Sequence, residues 1–180
     1  MKPENVMWLL LAMFMIHDFE EIIMMCAWLQ KYQGEFRLRF PRLVVRSLES
    51  ALNRSTAAFA LAVAEEFLLL TIFTIVTVQL ELYAVWAGML LAYFLHLLMH
   101  VGQWIALRHY VPAILTSLLT GVYCLYAFWF MGAIIHIQWS AVILPALICT
   151  LMIIINLPLS LRLADRFEGW LCNYAKGGNV

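Results

Sequence analysis

Charge is what this sequence has least of. Asp, Glu, Lys and Arg make up 12% of its 180 residues, 65% are hydrophobic, and the mean hydropathy is +0.89. A soluble domain averages about 25% charged and about 45–50% apolar residues, so an ordinary soluble fold is excluded and an integral membrane protein is expected, with the lipid bilayer as its first partner. Eleven basic residues against eleven acidic ones leave no excess positive charge, which argues against nucleic acid as a partner. Cys26, Cys124, Cys149 and Cys172 form no C-x-x-C pair, so neither a zinc-thiolate motif nor a disulfide framework can be read from them. They read instead as small buried apolar side chains. No small-x-small cleavage site follows the apolar run 6–16, which continues into His17 and Asp18 and therefore reads as a span rather than a signal peptide. No internal repeat is found, which removes the inverted-repeat signature of many transporters.

What the sequence does have is five hydrophobic stretches long enough to cross about 30 Å as helices, roughly 6–29, 57–78, 83–106, 111–133 and 140–161. The expected fold is all-α: one polytopic domain over 1–180, a bundle of five transmembrane helices whose short later links make neighbours antiparallel. Ten of the eleven basic residues fall in 30–56, at Arg108, or after 161, and the links 79–82 and 134–139 have none. The positive-inside rule then puts the N-terminus outside and the C-terminus in the cytoplasm, as expected of a bacterial inner-membrane protein. The segment 30–56 predicts a short interfacial helix opened by Pro41, with Val44, Leu48, Ala51 and Leu52 on one face and Arg42, Arg46, Glu49 and Asn53 elsewhere. Trp8, Trp28, Tyr83, Trp104 and Trp139 sit near span ends and read as interfacial anchors.

Against that apolar background, ionisable residues inside the spans are conspicuous. His17, Asp18, Glu20 and Glu21 lie on the first, Glu65 and Glu66 on the second, His96 and His100 on the third. Each is disfavoured near the bilayer centre by roughly 2.5–3.5 kcal/mol, so each needs a partner rather than lipid. None of the five spans contains a Lys or Arg to serve as that partner. On a helix, residues three and four apart share a face, so His17 with Glu20 and Glu21, and His96 with His100, form polar stripes that meet near mid-depth. A divalent cation is the economical way to hold such groups together. His with carboxylate suits iron, as one ion or two, or zinc. The expected metal ligands are His17, Glu20, Glu21, Glu65, Glu66, His96 and His100, with Glu20 and Glu66 in catalytic roles as general base or second-metal bridge.

The run His17-Asp18-Phe19-Glu20-Glu21 resembles the family of bacterial membrane proteins named for its HXXEE motif. That family is also described by a further histidine, matched by His96 or His100, and by a Tyr-x-Pro-Gly motif, matched by Tyr110-Val111-Pro112-Ala113 with alanine in place of glycine. The resemblance covers about 8 to 113 and implies no activity, since the family is functionally uncharacterised. The residues themselves favour a metal-dependent intramembrane enzyme, a di-iron oxidase or hydroxylase or a zinc hydrolase, acting on a hydrophobic small-molecule or lipid substrate. A proton- or ion-coupled transporter is one alternative, and a structural membrane subunit, with oligomer formation, another.

Overall fold

The structure is a computed structural model that describes residues 2–41 and 51–177. Five long helices make up these residues: α1 Pro3–Arg39, α2 Thr56–Gln79, α3 Tyr83–Leu107, α4 Ile114–Ala133 and α5 Ser140–Ala175. The all-helical expectation holds, and α2, α3, α4 and α5 are each long and apolar enough to cross a membrane. The first helix is not among those four. Asp18, Glu20 and Glu21 interrupt its apolar character midway.

Two helices run well beyond the expected spans. At 1.5 Å per residue α1 is about 55 Å long and α5 about 54 Å, each longer than the roughly 30 Å thickness of a hydrocarbon layer. Residues 30–39 continue α1 as helix up to Phe40, whose N–H closes on the Phe36 carbonyl. Of the interfacial helix expected in 30–56, residues 42–50 lie outside the described residues. The start of α2 is capped by Ser55, whose hydroxyl accepts from the Ala58 N–H at 3.2 Å. The same residue is held by the α5 overhang: its N–H donates to Glu168 Oε2 at 2.9 Å, its hydroxyl donates to the same oxygen, and Arg54 pairs with Asp165 at 2.5 Å.

In space the helices form a ring, α1 against α2, α2 against α5, α5 against α3, α3 against α4, and α4 back against α1. The α3–α5 seam is the most extensive. There Gly88 lets the backbones meet, since a Cβ at that position would lie 2.6 Å from the Pro145 Cβ and 2.7 Å from the Ala146 nitrogen. Half of the ring is filled by an apolar plug. Val6, Met7 and Leu10 of α1, Trp86 and Leu90 of α3, and Cys124, Ala127 and Met131 of α4 are fully buried together. The Tyr123 hydroxyl closes this end by donating to the Val6 carbonyl at 2.8 Å. The other half of the ring holds the polar residues.

Candidate metal centre

Three histidines meet inside the ring. His17 comes from α1, and His96 and His100, one turn apart, come from α3. His17 is 0% and His100 4% exposed, so neither ring finds partners in water. The Nε2 atom of His96 lies 3.4 Å from His17 Nε2 and 3.2 Å from His100 Nε2. One nitrogen from each ring lies within 4.8 Å of the others, close enough to share a single ion. The rings stand nearly edge to face, with centroids 4.8 to 5.4 Å apart, so the nitrogens converge without stacking. Among the described residues, His17 Nδ1 has no hydrogen-bond partner.

The helices fix how deep this group sits. About 21 Å of α1 separates His17 from Pro3 and about 20 Å of α3 separates His96 from Tyr83, at 1.5 Å per residue. The triad therefore lies beyond the apolar plug, between it and the end where α3 gives way to α4. The α3–α4 link folds inward there, with Val111, Pro112 and Ala113 buried. Arg108 and Ala113 take left-handed backbones, with φ of 58° and 66°, to turn the chain.

Glu20 of the motif and the two carboxylates of α2 are engaged elsewhere. Glu20 reaches to the start of α4: its Oε1 accepts from the Tyr110 hydroxyl at 2.6 Å, and its Oε2 accepts from the Thr116 N–H at 2.8 Å and hydroxyl at 2.7 Å. The α4 N-cap, Ala113, has no side chain able to do this, so Glu20 caps the helix from α1 and sets its charge against the positive helix end. Burial, and next the bond to Glu20, push the Tyr110 phenol above its ordinary range, so it remains a donor. Glu65 accepts from Asn156 Nδ2 at 3.0 Å, and Glu66 from Ser160 Oγ at 2.9 Å, both partners on α5. Glu21 lies near enough to Glu66 and Glu20 to feel their charges, as does Asp18 to Glu21 and Glu66. Asp18 is 4% exposed and its Oδ2 has no hydrogen-bond partner among the described residues.

Of the seven expected ligands, the structure thus gathers His17, His96 and His100 around one point. It sets Glu20 against the α4 start, Glu65 and Glu66 against α5, and Glu21 within electrostatic reach of Glu66. Tyr93 was not singled out from sequence. Its ring meets His17 edge-on at 6.0 Å, and its hydroxyl lies 3.5 Å from the Met13 carbonyl. Its place three residues before His96, on the same helix face, is the signal that would have found it. Trp28 does more than anchor at an interface, since its Nε1 donates to the Tyr110 carbonyl at 2.6 Å. His109 stacks on Tyr32 at 3.8 Å and stands apart from the triad.

No curated protein and no solved structure matches the chain. One family model does, described as a protein of unknown function with an HXXEE motif, and its match spans residues 8–130. That stretch holds His17, Glu20 and Glu21, both α3 histidines and the Tyr110–Ala113 turn, and covers well over half of the sequence, so the chain belongs to this HXXEE family.

Proposed function

We propose that the protein is an intramembrane metalloenzyme in which His17, His96 and His100 hold one divalent cation near the basic face of the bundle, with a lipid-soluble molecule as substrate. The observation that carries this reading is the double contact of His96 Nε2 with both neighbouring Nε2 atoms, at 3.2 and 3.4 Å. A neutral imidazole nitrogen has either one N–H or one in-plane lone pair, so it satisfies a single hydrogen-bond partner. A shared cation satisfies all three nitrogens at once. Tetrahedral zinc, with Zn–N of about 2.0–2.1 Å, puts its nitrogen ligands about 3.3 Å apart, close to both separations.

Three imidazoles, with Glu20, Glu65 and Glu66 occupied elsewhere, suit a single borderline cation better than a carboxylate-bridged iron pair. Zinc is the favoured ion, and hydrolysis or another reaction of activated water the favoured chemistry. Such a centre keeps a fourth position open, where the ion lowers the pKa of bound water or polarises a substrate oxygen. The protein's own groups would shape that position. Tyr93 stands edge-on to His17, and Asp18, next to His17 in the chain, has an Oδ2 with no hydrogen-bond partner among the described residues.

The apolar plug supports an enzyme over a conduit. A transporter needs polar groups along the whole axis, whereas here they form one layer across the ring and the other half is sealed by Met7, Leu10, Trp86 and Leu90. In this reading α1 is a fifth span, its acidic residues turned inward to partners, and the basic ends of α1, α3 and α5 face the cytoplasm. A membrane-impermeant thiol reagent added to intact cells should label Glu81→Cys and leave Lys176→Cys untouched in a Cys172→Ser background; the reverse pattern overturns this orientation.

The metal reading is tested by elemental analysis of protein purified without chelators. About one equivalent of zinc is expected, with His96→Ala and His17→Ala each losing most of it. Full occupancy in both variants, or no stoichiometric metal in the parent protein, overturns the reading.

A further inference from the structure

We infer that Glu20 and Tyr110 are positioning residues for the histidine triad: the hydrogen bond between them, with Thr116, sets how far His17 on α1 stands from His96 and His100 on α3. The inference rests on the metal reading above and assigns the first glutamate of the HXXEE motif a role other than ligand.

The geometry of the ring makes such a device necessary. α1 and α3 supply all three histidines, yet they face each other across the interior with scarcely any backbone packing between them. Their relative register must therefore be carried through other elements. α4 packs firmly on both, whereas α2, which also packs on α1, meets α3 only slightly. On the α3 side the link before α4 is continuous with the helix that bears His100, only ten residues before Tyr110.

On the α1 side the attachments crowd around the triad. Glu20, one turn after His17, accepts from the Tyr110 hydroxyl at 2.6 Å and from both Thr116 donors at 2.7 and 2.8 Å. The Thr116 hydroxyl also lies 3.4 Å from the carbonyl of His17 itself. About two turns beyond Glu20, Trp28 donates to the Tyr110 carbonyl at 2.6 Å. The two motifs of the family are thus one structure. The first glutamate of His17-x-x-Glu20-Glu21 is the acceptor, and the tyrosine of Tyr110-x-Pro112-Ala113 is its donor.

Zinc affinity depends steeply on where its ligands are held, and loss of an outer orienting contact typically costs about 10–100-fold. Tyr110→Phe is the decisive variant, because it removes one donor while keeping shape and net charge. It should weaken zinc binding about tenfold or more, measured by competition with a chromophoric chelator in detergent, with helicity and elution volume unchanged. Glu20→Ala should weaken it further, and adding Tyr110→Phe to Glu20→Ala should change nothing more, since the partner is already gone. The visible spectrum of the cobalt-substituted protein should shift in Tyr110→Phe, a change that lost stability alone does not produce. Tyr126→Phe, on the lipid-facing side of α4, serves as the unaffected control.

The outcomes separate. If the parent protein binds zinc and Tyr110→Phe binds it as tightly with an unchanged cobalt spectrum, the positioning role is overturned while the metal reading stands. Full additivity of the two substitutions also overturns it. If the parent protein binds no zinc, both fall together.

Discussion

Ala113 sits at φ +66° and is fully buried, in a backbone region that costs a non-glycine residue about 1–2 kcal/mol. The family motif has glycine at the matching place, and the turn explains why: the chain must reverse within a buried link just before α4 begins. Ala113→Gly is accordingly expected to raise stability by about 0.5–1 kcal/mol after the extra freedom of glycine in the unfolded chain is subtracted. Thermal unfolding in detergent measures it; a lower midpoint would show that the buried methyl contributes more by packing than its backbone costs. At this scale the histidines were readable from sequence, because His96 and His100 are four apart on an apolar helix and His17 opens a polar stripe. The part played by Glu20 was not readable. It depends on Thr116, ninety-six positions away, and no periodicity links the two.

The helices themselves were read from hydropathy with bounds close to those observed for α2, α3 and α4, whose limits are set by the apolar layer they fill. The ends of α1 and α5 were missed because their overhangs are polar and a hydropathy profile does not register polar helix. Those overhangs have a job at the element scale. The α5 extension grips the start of α2 through Glu168, and the Ser55 hydroxyl and N–H, by binding the ionised form, hold that carboxyl below its ordinary value of 4.5. A carboxyl whose pKa is lowered on folding adds stability above its unfolded value and loses it as pH falls through the folded one. The stability gap between the parent protein and Glu168→Gln should therefore be open near neutral pH and narrow progressively as pH drops below 4.5. A gap independent of pH would mean that the grip does not depend on charge.

Over the whole molecule, one ring of helices is divided between an apolar plug and a polar layer. Composition and the absence of Lys and Arg from the spans were enough to predict that the buried acids and imidazoles need partners. They were not enough to say which groups share one. The sequence alone groups seven residues as ligands of a cation, while the fold sends Glu65 and Glu66 to Asn156 and Ser160 of α5 and Glu20 to α4, leaving imidazoles to face each other. This sorting follows from the ring order, which sets α2 beside α5 and α1 beside α4, and ring order is a property of packing that a hydropathy profile does not contain. The most direct measurement of the central claim is X-ray absorption at the zinc edge on the purified, zinc-loaded protein. Three imidazole nitrogens at about 2.0–2.1 Å with their outer-ring scattering are expected, reduced to two in His100→Ala. A coordination shell dominated by carboxylate oxygen, or a second metal at about 3.5–4 Å, would contradict it.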